Sequence, residues 1–206
     1  MIVLGLTGGV GMGKSTAAGF LSQRGVPIVD TDDLARQLVQ SGQPALDEIR
    51  SAFGSHVINS AGELNRNELA RIIFTDIKAR KTVEAILHPR IRERWLARIA
   101  DWRRQNQPLA AVIIPLLFET QAQSQFDCIV CTACSHATQH ERLTARGWTP
   151  EQIAQRNAAQ LPIEQKIVGA DFVIWTEGGL ESHSVQVDKI LASLGRRDAR
   201  LPLGGR

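Results

Sequence analysis

Ile2-Val3-Leu4-Gly5-Leu6-Thr7-Gly8-Gly9-Val10-Gly11-Met12-Gly13-Lys14-Ser15 decides the fold of this chain. An apolar run, Ile2 to Thr7, enters glycines at 8, 9, 11 and 13, then Lys14-Ser15, and a helical stretch from Thr16 to Arg24 follows. The full G-x-x-x-x-G-K-S/T pattern between a strand and a helix is that of a phosphate-binding loop. Glycine lets successive main-chain N–H groups turn inward on phosphate oxygens at a helix N-terminus, where the helix dipole favours anions. Lys14 adds a point charge, and the Ser15 hydroxyl suits Mg²⁺, which takes few protein ligands and keeps most of its waters. A glycine-rich turn with a fortuitous Lys-Ser is the competing reading, and the strand and helix on either side count against it.

Further apolar runs lie outward from this loop at Val26 to Val29, Ala110 to Ile114, Cys128 to Thr132 and Phe172 to Trp175, alternating with amphipathic stretches. Such alternation predicts βαβ units, hence an α/β fold with a parallel sheet. Leu109 to Ile114 is apolar on both faces, as a central strand covered by helices must be. About eighty residues from Thr31 to Pro108 separate the second and third runs, far more than one crossover helix needs, so a helical insertion is expected there. Within it, Arg90 to Arg104 places Ile91, Trp95, Ile99 and Trp102 on one stripe, a surface helix whose tryptophans face the core. Ser135 caps a helix carrying Arg142 and Arg146 and ended by Gly147, and Thr149-Pro150-Glu151-Gln152 starts another with a capping box. The tail from Gly195, rich in Arg, Gly and Pro, is expected to fray.

The chain has 206 residues, 43% of them hydrophobic and 22% charged, in the range of one ordinary globular domain. Its net charge of +3 is too small to argue for a nucleic-acid partner. Met1 to Leu6 carries no basic leader and no apolar run approaches a bilayer's span, so a cytoplasmic protein without membrane contact is expected. Three cysteines make no disulfide framework. Cys128, Cys131 and Cys134 do have C-x-x-C-x-x-C spacing, but on a strand Cys128 and Cys131 face opposite ways, and no fourth cysteine completes a cluster.

Nucleotide binding leaves the reaction open. No D-x-x-G loop and no N/T-K-x-D guanine reader occurs, which disfavours a switch GTPase. The most apolar strand runs into Pro115-Leu116-Leu117-Phe118-Glu119 rather than ending in Asp, which disfavours a motor ATPase. After the second run stands Asp30-Thr31-Asp32-Asp33, carboxylates at the carboxyl end of a strand, where open α/β sheets place their ligands. One can orient an acceptor hydroxyl and take its proton late in phosphoryl transfer. Asp32 or Asp33 can equally serve as N-cap of the helix through Leu34, Leu38 and Val39. Arg142 and Arg146, one turn apart, suit a lid over a transferring phosphate or, alternatively, a solvated helix face.

Taken together, Leu6 to Thr16, Val29-Asp30-Thr31-Asp32-Asp33-Leu34-Ala35-Arg36, Leu87-His88-Pro89, Ile114 to Glu119, Gln160 with Lys166, and Ala170 to Ile174 resemble the dephospho-coenzyme A kinase family over nearly the whole length. The resemblance implies a P-loop NTPase fold: a five-stranded parallel sheet flanked by helices, with a helical substrate-binding insertion and a helical lid. It maps the core to 1–40, 109–134 and 168–195, the insertion to about 41–108, the lid to about 135–167 and a flexible tail to 196–206. The implied reaction is transfer from ATP to the ribose 3′-hydroxyl of 3′-dephospho-CoA, with Asp32 as base and Lys14 and Arg142 as its catalytic cations. Gly9, Gly11, Met12, Gly13, Lys14, Ser15, Thr16 and Arg142 would bind ATP, and Ser15 its Mg²⁺. Thr7, Asp32, Arg66, His88 and Pro89 would bind or frame the acceptor, His88 having packing at a helix end as its other reading. The chain departs from the family at Met12, where a small residue is usual, and at Trp175-Thr176-Glu177-Gly178, which replaces Asp-Asn-x-Gly.

Overall fold

The computed structural model describes residues 1–198, and the expected 196–206 tail lies outside the described residues from 199 onward. Two compact units make up the chain: Met1–Ile28 with the residues from Trp102 onward, and Val29–Asp101.

The chain forms a five-stranded sheet in the order β2-β3-β1-β4-β5, made of β1 (Ile2–Gly8), β2 (Ile28–Asp30), β3 (Leu109–Ile113), β4 (Cys128–Ala133) and β5 (Phe172–Trp175), all but β2 wholly within the first unit. The central strand β1 pairs in parallel with β3, Leu4 opposite Ala111, and with β4, Leu6 opposite Val130. Aspartates set the register of two strands at their starts. Asp127 accepts the Val3 N–H at 2.7 Å and Asp171 the Ile129 N–H at 2.8 Å, while each returns its own N–H to the same residue. Burial on both faces explains the unbroken apolar runs.

One face of the sheet is covered by α1 (Lys14–Gln23) and α9 (Leu180–Asp198), which pack Ala17, Leu21, Val187, Ile190 and Leu194 onto Leu4, Leu6 and Val130. α9 runs on through Gly195, where fraying was expected, and ends no earlier than Asp198. The other face takes Met12 and Ile163 against Cys131, Ala133 and Cys134. Between β4 and β5 come α6 (His136–Thr144), α7 (Pro150–Ala158) and α8 (Ile163–Val168). Both expected caps form: Ser135 Oγ accepts the Thr138 N–H, and Thr149 and Gln152 make a reciprocal capping box.

The second unit is helical, with α2 (Thr31–Leu38), α3 (Pro44–Phe53), α4 (Arg66–Thr75) and most of α5 (Ile77–Arg104) around Val39, Ile49, Val57, Leu69 and Val83. It begins at Val29, earlier than the insertion read at 41, because Leu34 and Leu38 give α2 a buried face of its own. It also ends at Asp101, short of 108. α5 differs from expectation too. It passes unbroken through Pro89, which removes one main-chain donor from a helix interior and usually kinks or stops it. In the adjoining turn the Arg90 guanidinium donates to Ile86 O at 2.6 Å. Trp95 is buried as the stripe predicts, whereas Trp102 is only half-buried.

Candidate active site

The loop between β1 and α1 needs its glycines for stated reasons. Gly8 has φ 142°, and a Cβ there would lie 2.3 Å from Thr132 O. Gly13, at φ 84°, occupies the N-cap position of α1 and brings no side-chain cap, so the first turn presents its N–H groups unscreened by a side chain. Lys14 Nζ donates to Gly8 O and Gly9 O, both at 2.8 Å, which holds the ammonium over the loop. Ser15 is exposed in that first turn. Among the described residues its hydroxyl has no hydrogen-bond partner, as a ligand for Mg²⁺ requires. Met12 is buried, its side chain packed with Cys131, Cys134 and Ile163. It also lies against Gly9, where a Cβ would meet Met12 Sδ at 2.6 Å, so the departure from a small residue makes glycine necessary at position 9.

The helices after β4 are fastened to this loop by groups the sequence did not single out. Gln139 of α6 is buried, donates to Val10 O at 2.8 Å and exchanges hydrogen bonds with Asn157 of α7. Arg142 Nη1 donates to Thr176 Oγ1 at 2.9 Å and Nη2 to Thr176 O, while Thr176 Oγ1 reaches Met12 O at 3.4 Å. The Thr176 that replaces the family's Asn thus joins α6, the loop and the end of β5. Thr7 is buried, with its hydroxyl donating to Pro115 O at 3.3 Å. Thr7, the P-loop and Arg142 accordingly belong to one bonded neighbourhood of the first unit.

Asp32, Arg66, His88 and Pro89 belong to the second unit. Asp30, not Asp32 or Asp33, caps α2: its Oδ1 accepts the Asp32 N–H at 2.9 Å. Asp33 pairs with Arg36 at 2.9 Å. Asp32 is exposed, and its carboxylate has no partner among the described residues. Of the three carboxylates it is therefore the one without a partner. Arg66 is the exposed first residue of α4, capped by Asn65, whose Oδ1 accepts the Glu68 N–H at 3.2 Å. His88 lies half-buried in mid-α5, not at a helix end.

Cys128 and Cys131 separate as the strand alternation requires, and Cys134 lies past the end of β4. Cys128 packs into the α1/α9 core and Cys131 with Cys134 into the opposite cluster. Burial pushes the Cys131 thiol up to about 11 against the pull of the Lys166 and Lys14 ammoniums, so it is a neutral packing group. No group of three His, Cys, Asp or Glu suited to a metal exists among the described residues, and Mg²⁺ carried by a nucleotide needs none.

Acid should lower the stability of the fold in two stages. The Glu177 carboxylate is held down to about 2 by hydrogen bonds from Ser135 and then Thr138, and its Oε1 accepts the Ser135 N–H at 2.9 Å at the start of α6. The stabilisation is complete above the ordinary value of 4.5 and is lost as pH falls through about 2. His183 of α9 is buried with neither ring nitrogen bonded, and burial, then the Arg142 charge, lowers its pKa. Only the unfolded chain then takes up a proton near 6.5, so stability also falls below that pH. Thermal melts should show a decline beginning near pH 6.5 and a second between 4.5 and 2, with Glu177→Gln reducing the second, which Glu68, Glu151 and Asp188 share, and leaving the first.

Comparison with known proteins agrees with this architecture. The dephospho-CoA kinase family model matches residues 2–182. A dephospho-CoA kinase of Anaeromyxobacter dehalogenans is 42% identical over 204 residues, 98% of this chain and 97% of that protein. The crystal structure of TT1252 from Thermus thermophilus is 32% identical with a TM-score of 0.79, covering 94% of this chain and 97% of that one. A dephospho-CoA kinase from Campylobacter jejuni, at 22% identity, shares the fold with a TM-score of 0.70 over 95% of this chain and 98% of its own. With an uncapped phosphate-binding turn, a helix tied to it through Gln139 and to the end of β5 through Arg142, and a match across nearly its full length, this chain belongs to the dephospho-CoA kinase family.

Proposed function

We propose that the chain transfers the γ-phosphate of ATP to the ribose 3′-hydroxyl of 3′-dephospho-CoA, giving CoA and ADP, with Asp32 as the group that aligns that hydroxyl and accepts its proton. Members of this family are ATP-dependent kinases, and the chain is one of them. The observation that carries the assignment of roles is the division of labour at the start of α2: Asp30 caps, Asp33 pairs, and Asp32 is uncommitted. Transfer through a loose transition state needs little covalent chemistry from the protein, mainly positioning and charge neutralisation. The main-chain donors of the Gly9 to Gly13 loop and the first turn of α1 cradle the phosphates. Lys14 leaves its two carbonyl partners for phosphate oxygens, and Arg142 leaves Thr176 to close over the transferring group and exclude water. When bound, Mg²⁺ on the Ser15 hydroxyl supplies charge neutralisation between the outer phosphates. Arg66, His88 and Pro89, with Thr7, frame the acceptor. No helix among the described residues is long and apolar enough to cross a membrane, and we place the enzyme in the cytoplasm without nucleic-acid or membrane partners.

Release of ADP measured with a panel of acceptors tests this reading. Turnover with dephospho-CoA and none with shikimate or gluconate is the expected result. Activity with shikimate and none with dephospho-CoA would assign a different small-metabolite kinase, and ATP binding without turnover of any acceptor would assign a nucleotide-sensing protein.

A further inference from the structure

Lys166, on α8, is wholly buried. Its ammonium donates to Pro115 O at 2.8 Å and pairs with Glu119 Oε1 at 2.8 Å. That carboxylate oxygen also accepts the Leu161 N–H at 2.8 Å, in the turn joining α7 to α8. Pro115 O is shared: the Thr7 hydroxyl donates to it from the last turnless residues of β1, one step before the P-loop. Glu119 Oε2 is buried with no partner. A single ion pair therefore ties together the strand end that feeds the P-loop, the segment after β3, and the root of the helices that reach back over the loop through Gln139 and Arg142.

Stability alone does not account for the pair. Removing two charges from water costs more than an apolar pair of similar volume would, and here one carboxylate oxygen is left unsatisfied as well. What directional bonds provide and apolar packing does not is a fixed register between the three segments. The far end of the lid rests on the P-loop and on Thr176, so a shift at its root displaces Arg142, and a shift of Pro115 displaces Thr7. A misplacement of about 1 Å can cost about 10²-fold in rate.

We propose that Lys166, held by Glu119, is a positioning residue for phosphoryl transfer, fixing Thr7 and the root of the α6–α8 lid in register with the P-loop; this rests on the kinase reading above. It contacts neither phosphate nor acceptor. The test compares wild type with Glu119→Gln, Lys166→Met and the double variant in three readouts: hydrogen exchange at the Leu161 amide, melting temperature, and kcat with the directly measured Kd for an ATP analogue. Both single variants should speed Leu161 exchange about tenfold and lower kcat about 30- to 100-fold, with the Kd within about threefold of wild type. The double variant, which leaves neither charge buried alone, should regain melting temperature without regaining kcat. Recovery of kcat together with melting temperature would reduce the pair to a structural role and overturn the proposal. Wild-type kcat and exchange in Glu119→Gln, which keeps the side-chain volume if Lys166→Met does not fold, would overturn it as well. A wild-type protein that phosphorylates no dephospho-CoA refutes the functional reading instead, and the exchange at Leu161 then decides the pin by itself: unchanged in Glu119→Gln, the pin is wrong.

Discussion

Asp32→Asn is expected to lower kcat by about 10²- to 10⁴-fold while the affinity for ATP stays within about twofold. The exchange keeps the side chain's size and leaves the capping bond from Asp30 to the Asp32 main chain intact, so α2 should form as before. Nothing in the described structure leans on the Asp32 carboxylate, and a stability loss is not expected. Loss of rate without loss of folding would therefore isolate a chemical role. Isothermal titration with an ATP analogue, paired with steady-state ADP release, separates the two quantities. A variant with wild-type kcat would move the proton acceptor to Asp30 or Asp33, at odds with the cap and the Arg36 pair those residues make.

Gly8→Ala should have the largest effect on folding. The new methyl would meet Thr132 O at 2.3 Å and Thr132 Oγ1 at 2.4 Å, in a backbone whose φ of 142° resists side chains on its own. Strain and overpacking together should cost about 4 kcal/mol, or about 8 to 16 °C in melting temperature for a chain of this size. Gly19→Ala serves as the control. That glycine is exposed within α1, its Cβ would meet nothing within 4 Å, and alanine there should stabilise by about 0.5 to 1 kcal/mol. Circular-dichroism melts of the two variants decide the matter. A Gly8→Ala protein as stable as wild type would mean that β4 yields at Thr132 and that the glycine is dispensable for the turn.

The elements legible in the sequence are those whose signal is local. The P-loop follows from glycine spacing between two elements, and the strands from apolar runs. The starts of α6 and α7 follow from Ser135 and from the Thr149 and Gln152 pair, all of which form as read. The misreadings have tertiary causes. Pro89 looks like a boundary because a proline normally is one, yet packing of Val83, Trp95 and Ile99 on either side carries α5 through it. In the aspartate run any of the carboxylates could cap, and only the backbone path, extended at Asp30, selects the cap. Gln139 and Lys166 read as ordinary polar residues of surface helices, because their meaning lies in carbonyls 129 and 51 residues away along the chain. Lys166 could have been noticed only through its place in the family pattern, which gave it no role.

The cysteine run from Cys128 to Cys134 gives the molecule an internal reporter. All three thiols in the sequence are buried on the two faces of one sheet, and none is joined to another. A water-soluble alkylating reagent can therefore label the native protein only when that sheet opens, so the labelling rate of Cys128, set against that of Cys131 and Cys134, clocks the exposure of each face separately in the unaltered chain.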